Sequence, residues 1–243
     1  MPQFNDFQVT WNVKVDLLVL RYMARKIAYF LPDAAAGTPL PRVHFAQEQR
    51  NRVHRIVIYR RGEHLLNGNL LFVGFISSVQ EHATPATVQE IHRVDKQFMA
   101  ELADNTGLLS YSSLELKRGR WFNLVLLSDL AAKTFFKGST THSYAAYQLS
   151  MQYYAWIRLH HGVLPGGLER KDFVVQRTKF YVFPEIGQQP VTGELHYEVP
   201  RANEDAINRV PTTGWMENVG AINRVPTEAG RTEKEEVAID ERG

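Results

Sequence analysis

Hydrophobic and polar positions predict a run of elements between residues 70 and 183. The apolar residues 70–77 are typical of a buried strand. Residues 86–104 carry apolar side chains at helical spacing, after Thr84 as a cap and Pro85 as the first helical residue. Two further strands, 108–116 and 121–127, form a predicted hairpin across the turn at 117–120.

A second helical region follows this hairpin. Ser128 and Asp129 favour a helix start, and Gly138 followed by Ser139 predicts a break into a short helix and a longer one. The longer helix should end near His160. Its predicted common side consists of His142, Ala145, Ala146, Leu149, Tyr153 and Trp156. Residues 172–183 supply the last strand of the run.

The predicted order of elements is strand, helix, strand, strand, helix, strand, which is the split β-α-β arrangement. We therefore expect an α+β fold in which residues 67–184 form a ferredoxin-like domain, an antiparallel sheet with two helices on one face. The other face is rich in aromatic residues and should be covered as well. A second copy could cover it, giving a dimeric α/β barrel, or the N-terminal part of the chain could do so.

The N-terminal segment, residues 1–66, is predicted to pack on that domain. Residues 4–20 alternate loosely and predict a strand that leads into a helix over 17–31. The basic residues of this helix suit an anionic membrane or a partner, or alternatively a solvated surface. After a loop at 32–41, residues 55–60 alternate and predict a strand.

Residues 185–243 are predicted to be an extended or disordered tail, because core-type periodicity fades there. The sequence Ala-Ile-Asn-Arg-Val-Pro-Thr occurs at 206–212 and again at 221–227. Two copies are too few for a solenoid. Each copy is either a linear motif that docks on a protein partner or a neighbouring subunit, or a duplication in an unconstrained tail.

Composition and charge narrow the possible chemistry. The sequence has no cysteine, which excludes disulfides, thiolate nucleophiles and Cys-based metal sites. Ten basic residues stand against four acidic ones in residues 1–61, whereas residues 228–243 hold six acids and three bases. This basic excess is modest and carries no recognised motif, so nucleic-acid binding is not expected. With no signal-like start and no uninterrupted apolar span, we expect a soluble cytoplasmic protein without a transmembrane segment.

Residues 121–129, which lead into a helix, and the run Phe135-Phe-Lys-Gly-Ser-Thr-Thr-His142 resemble a pattern of the dimeric α/β-barrel superfamily. This superfamily includes antibiotic-biosynthesis monooxygenases and the haem-handling relatives of chlorite dismutase. The resemblance implies a homo-oligomer whose interior binds an apolar small molecule. In its haem-binding members a histidine of the helix after this hairpin coordinates iron. The resemblance therefore implies haem as a cofactor and His142 as its ligand, with His160 and His161 behind it.

His142 is the main candidate for catalysis and for metal binding. A neutral imidazole is a common iron ligand, and a helix that faces a sheet can wall a pocket. The alternative is a histidine at the core edge, bonded to a backbone carbonyl. His160 and His161, at the predicted helix C-terminus, serve either the helix dipole or a metal.

Four further residues are predicted to contact a cofactor. Arg55 and Arg60 could hold carboxylate groups by charge-assisted hydrogen bonds, or could guard an exposed edge strand. Tyr147 and Trp156 could line an apolar pocket, although core packing explains them equally well. Three classes of function follow: a monooxygenase-like or haem-binding enzyme, a non-catalytic ligand-binding module, and an oligomeric scaffold that docks partners through its repeated tail motif.

Overall fold

The computed structural model describes residues 6–34, 39–60, 63–186 and 188–198. Within these ranges the chain forms eight strands, which are β1 Arg42–Gln47, β2 Val53–Ile58, β3 Leu70–Val79, β4 Leu108–Lys117, β5 Arg120–Leu127, β6 Tyr154–Leu164, β7 Val174–Val182 and β8 Val191–His196. The α-helices are α1 Asp6–Phe30, α2 Glu63–Asn67, α3 Pro85–Leu102, α4 Leu130–Gly138, α5 Thr140–Tyr144, α6 Ser150–Tyr153 and α7 Gly167–Arg170. A π-helical turn, Ala145–Leu149, joins α5 to α6.

The protein has an α+β fold built on one open antiparallel sheet. The strand order is β1-β2-β4-β5-β3-β6-β7-β8, so β1 and β8 form the two edges. Each neighbouring pair is antiparallel. Successive side chains of a strand point to opposite faces, so each strand contributes residues to two layers.

The long helix α1 covers one face of the sheet, which we call the first face. Leu20, Met23 and Ile27 of α1 are buried in one apolar cluster with residues of β2, β3, β4, β5 and β6. The buried positions of α1 recur every three or four residues, which keeps them on one side of the helix. The first face is therefore closed by the N-terminal segment of the same chain.

Helices α3 and α4 pack on the opposite face, which we call the second face. Leu102 of α3 and Ala132 of α4 are buried there with Val57, Leu71 and Leu127 of the sheet. In β2 the division is clear, because Val57 belongs to this cluster whereas its neighbours Ile56 and Ile58 belong to the first-face cluster. The sheet is thus the middle layer of three.

Several predicted elements are confirmed. The strands predicted at 70–77, 108–116, 121–127 and 172–183 correspond to β3, β4, β5 and β7, and the strand predicted at 55–60 overlaps β2. Thr84 caps α3, since its Oγ1 accepts a 3.1 Å hydrogen bond from the Thr87 amide, and Pro85 is the first helical residue. The predicted break at Gly138 and Ser139 separates α4 from α5.

The prediction of a strand in residues 4–20 is wrong. Residues 6–30 form the single helix α1 instead. The β-branched residues Val9, Val13, Val15 and Val19 produced the apparent alternation. The helical spacing of the side chains that contact the sheet decides the outcome, because burial against tertiary partners outweighs local strand preference.

The prediction of one helix that continues to His160 is also wrong. Helix α6 ends at Tyr153, and residues 154–164 form β6 between β3 and β7. Aromatic and β-branched residues in this stretch fit a central strand as well as a helix. Pairing on both sides satisfies the β6 backbone and makes the strand the more stable state.

The N-terminal and C-terminal segments both contribute to the same sheet as residues 67–184. Strands β1 and β2 reach it through β4, and β8, which lies in the predicted tail, pairs with β7. The two copies of the repeated motif, 206–212 and 221–227, lie outside the described residues. None of the helices in the described ranges combines the length and apolar character that a bilayer crossing requires.

Candidate functional site

His142 lies in α5, half-buried in the layer that covers the second face. Its ring approaches Phe98 of α3, with 5.7 Å between the ring centroids. Burial lowers the pKa of His142 below its ordinary value, which keeps the imidazole neutral near pH 7. A neutral imidazole can accept a proton or a metal ion, so the environment suits the predicted chemistry.

Ser139 fixes the backbone that carries His142. The Ser139 Oγ accepts a 2.9 Å hydrogen bond from the His142 amide and donates a 2.8 Å hydrogen bond to Oε2 of Glu101 in α3. Thr141 donates to the other oxygen of the same carboxylate. These two hydroxyl donors lower the pKa of Glu101 and hold it ionised. A single carboxylate of α3 therefore sets the position of the first turn of α5.

Arg55 lies in β2 on the second face, where it is neutralised by a carboxylate. Its guanidinium donates hydrogen bonds of 2.9 and 3.1 Å to the two oxygens of Asp95 in α3. It also lies over the Tyr111 ring, 5.6 Å from the centroid. Because Asp95 already accepts hydrogen bonds from both terminal nitrogens of the guanidinium, Arg55 has less capacity to bind a cofactor carboxylate than the sequence suggested.

Arg60 holds backbone carbonyl groups. Its Nη2 donates to the carbonyls of Ala103 and Asn105, at 3.1 and 3.4 Å. Both carbonyls follow the last turn of α3, where helix carbonyls lack internal partners. Arg60 thus ties the end of α3 to the chain after β2.

Tyr147 lies at the protein surface, and Trp156 lies on the first face of the sheet. Tyr147 sits in the π-helical turn and is 58% exposed. Trp156 packs against the first-face cluster, with the guanidinium carbons of Arg158 and Arg120 at 4.3 and 5.2 Å from its ring centroid. Trp156 therefore lies on the opposite face of the sheet from His142 and Arg55.

These positions bear on haem binding. The predicted carboxylate holders are occupied by Asp95 and by backbone carbonyls, and Trp156 is on the opposite side of the sheet from His142. The predicted set of residues therefore does not fit around one haem. Among the described residues, no three metal-ligating side chains of the His, Cys, Asp and Glu types come together.

The second-face layer also contains two partly buried phenols, those of Tyr111 and Tyr154. The Tyr111 hydroxyl donates a 3.1 Å hydrogen bond to Oδ1 of Asn123, and burial raises the pKa of Tyr111 to about 12. Burial also strongly raises the pKa of Tyr154, whose ring meets Phe75 at 5.6 Å between centroids. Both phenols stay protonated at neutral pH and can donate a hydrogen bond but not take up a proton.

His160 and His161 are not at a helix end, because both are in β6 and point to opposite faces. On the first face, His160 Nε2 lies 2.9 Å from Oδ2 of Asp16 and its Nδ1 lies 2.8 Å from the Thr178 hydroxyl. Arg158 completes this network with two hydrogen bonds to Asp16. Because Asp16, His160 and Thr178 are fully buried, the network joins α1 to the sheet.

A second buried histidine, His54 in β2, contacts a serine and a carboxylate. Its Nε2 lies 2.6 Å from the Ser112 hydroxyl, and its Nδ1 lies 3.5 Å from Oε1 of Glu48. This order of groups is found in nucleophilic triads. Ser112 and His54 are buried beneath α1, however, and the longer contact is not a hydrogen bond. The cluster therefore packs α1 on the sheet and does not expose a nucleophile.

His161 points to the second face and is buried there. Within the described ranges its Nδ1 has no hydrogen-bond partner. Its cross-strand neighbour is Arg177 of β7. The sequence analysis missed this arrangement because it predicted a helix for residues 154–164. In a strand, neighbouring residues such as His160 and His161 point to opposite faces of the sheet.

Comparisons with protein-family models, with curated proteins and with solved structures found no match for this chain.

Proposed function

We propose that the protein binds an apolar small molecule in the second-face layer, as a ligand-binding or cofactor-free monooxygenase-like protein. The observation that carries this proposal is His142, a neutral imidazole half-buried against Phe98. His142 would serve as a general base, because its neutral imidazole can accept a proton whereas the protonated phenols of Tyr111 and Tyr154 cannot. The haem-dependent version has less support, since the residues expected around the cofactor do not converge.

The ferredoxin-like assignment also remains our proposal. The order β4-β5-β3-β6, with α3 between β3 and β4 and with α4 to α6 between β5 and β6, supports it. The dimeric barrel has less support, because α1 covers the face on which a second copy would pack.

A neutral apolar dye such as Nile red tests the binding proposal. We expect saturable fluorescence enhancement with the full chain and at least a tenfold weaker affinity in His142→Ala. The matched control is His82→Ala, since His82 is exposed in the turn before α3. Circular dichroism checks that each variant is folded. Absence of saturable binding, or equal affinity in a folded His142→Ala variant, would contradict the proposal.

An absorption spectrum with added haem distinguishes the haem-dependent version of the enzyme proposal from the cofactor-free version. Protein-bound haem absorbs at about 400 nm through its iron–ligand complex. A band that is lost in His142→Ala would restore the haem version. We expect no His142-dependent band.

A second candidate is an assembly or scaffold function, which the edge strand β1 favours. Phe45 is 68% exposed there, and Val43 and Val53 are exposed nearby. An apolar edge strand is a site for strand addition or oligomerisation. Light scattering on the full chain, on a chain lacking residues 203–243 and on Phe45→Ser tests this candidate. An assembly size that is the same in all three would contradict it.

A further inference from the structure

A cluster of basic side chains surrounds the buried His161 on the second face. Directly paired residues of antiparallel strands point to the same face. His161 and Leu159 of β6 pair with Arg177 and Lys179 of β7, so both cationic side chains lie on the same face as His161. Lys133 of α4 adds a further positive charge near the imidazole.

The carboxylate of Glu194 in β8 pairs with two of these cations, Arg177 and Lys179. Glu194 of β8 lies 3.4 Å from Arg177 Nη1 and 3.4 Å from Lys179 Nζ. Nε2 of His196 lies 2.9 Å from Oε1 of the same carboxylate. Glu194 is therefore shared by Arg177, Lys179 and His196, so its single negative charge does not neutralise both Arg177 and Lys179.

Two buried nitrogen atoms of this cluster have no hydrogen-bond partner within the described residues, and each is a donor when the imidazole carries a proton on Nδ1. They are Nδ1 of His161 and Nε of Arg177. Buried polar groups are nearly always hydrogen-bonded, and an unpaired one is destabilising. Since His161 is 92% buried and aims at the same charged cluster, the unpaired donors mark a place for an acceptor.

We propose that His161, Arg177, Lys179 and Lys133 form a binding site for the anionic oxygen group of a small ligand, a carboxylate or a phosphate. An anionic oxygen accepts hydrogen bonds from His161 Nδ1 and Arg177 Nε and neutralises the excess charge. Arg177 and Lys179 are 17% exposed, so a ligand can reach them from solvent. This site goes beyond the proposed function and does not depend on His142.

Binding at this site should be coupled to proton uptake. Burial first, and then the charges of Lys133, Arg177, Lys179 and His160, lower the pKa of His161. Glu194, His196 and Tyr181 are further ionisable groups of the cluster. An anion beside the imidazole offsets the repulsion from the cations and favours the protonated ring. We expect affinity to rise as the pH falls toward about 6, and His161→Asn to remove this rise.

Isothermal titration of the full chain with inorganic phosphate, and separately with benzoate, tests the site. We expect saturable one-site binding of at least one of these anions at low salt. Which anion binds shows whether the site takes a phosphate or a carboxylate group. Arg177→Gln and Lys179→Gln should each weaken binding at least tenfold. The matched control is Arg118→Gln, which removes the same charge from the exposed turn between β4 and β5.

A variant that is expected to bind more tightly distinguishes loss of the site from loss of the fold. Glu194→Gln removes the competing carboxylate and should strengthen binding severalfold. The proposal is overturned if neither anion binds saturably, or if Arg118→Gln weakens binding as much as Arg177→Gln does. It is also overturned if a folded Glu194→Gln variant binds no more tightly than the unmodified chain.

Discussion

Asp16 and Arg158 form a bidentate ion pair that joins the first helix to the sixth strand. Nε and Nη2 of Arg158 each donate a 2.7 Å hydrogen bond, one to each oxygen of Asp16. His160 adds a 2.9 Å contact to Oδ2 of the same carboxylate. One buried carboxylate thus satisfies two side chains of β6, and neither the helix nor the strand could shift along the other without breaking these bonds.

We expect Asp16→Ala to lower the free energy of unfolding by about 3–5 kcal/mol, because the substitution leaves the guanidinium of Arg158 and Nε2 of the buried His160 without their carboxylate partner. Urea denaturation measures the loss. Asp172→Ala is the control, since its ion pair with Arg170 is exposed, and it should cost at most about 1 kcal/mol. Equal losses in the two variants would show that Asp16 does not anchor α1.

Gly162 occupies a place in β6 that has no room for a side chain. A methyl group there would overlap the Val174 carbonyl oxygen and lie 2.7 Å from Cε1 of Phe72. We expect Gly162→Ala to lower the free energy of unfolding by about 1–3 kcal/mol through overpacking. Gly138→Ala is the control, because nothing lies within 4 Å of the added methyl group. Thermal denaturation compares the two, and an unchanged melting temperature in Gly162→Ala would contradict the packing described.

The protein should lose stability as the pH falls below 6.5, the ordinary pKa of histidine, because burial lowers the pKa of His54, His142 and His161 in the folded state. Between the folded and unfolded pKa values, the unfolded chain binds more protons than the folded chain. The free energy of unfolding therefore falls as the pH falls through this window, by about 1.4 kcal/mol per pH unit for each such histidine.

Urea denaturation at several pH values between about 5 and 8 measures this slope. His161→Asn should remove about one histidine's share of it. His82→Asn, at an exposed position, should leave the slope unchanged. A slope that His161→Asn does not alter would mean that His161 takes up its proton as readily in the folded chain as in the unfolded one.

Ser139 should control both the stability of α5 and the position of His142. Loss of an N-terminal cap costs about 1 kcal/mol, so Ser139→Ala should lower the free energy of unfolding by that amount. It should also weaken Nile red binding, because the cap holds the His142 amide. Ser139→Thr keeps the hydroxyl and should restore both properties. If Ser139→Ala binds the dye as the unmodified chain does, the cap has no part in ligand binding.

Local patterns predict the elements whose partners are near in sequence. The β4–β5 hairpin is determined by two apolar runs and a turn, and α3 by Thr84, Pro85 and a regular apolar stripe. The stretch 154–164 could not be assigned in this way. Its state depends on pairing with β3, about eighty residues earlier, and with β7, which follows it.

The candidate sites show the same limit. His142 follows a helix break that the sequence signals, and it lies half-buried in the short helix α5. The anion cluster combines Lys133, His161, Arg177 and Lys179 from three elements, and no local spacing connects them. Had residues 154–164 been read as a strand, the alternation of Arg177 and Lys179 beside it could have indicated their common face.

The ion pair between α1 and β6 has a consequence for synthesis of the chain on the ribosome. Asp16 is translated 142 positions before Arg158, a delay of roughly 7 to 28 seconds at about 5–20 residues per second. During that interval α1 lacks the strand that satisfies its carboxylate, and its apolar side has no complete sheet to cover. The first helix to be made is therefore among the last to be fixed in place, and a nascent chain stalled before β6 would present α1 to chaperones.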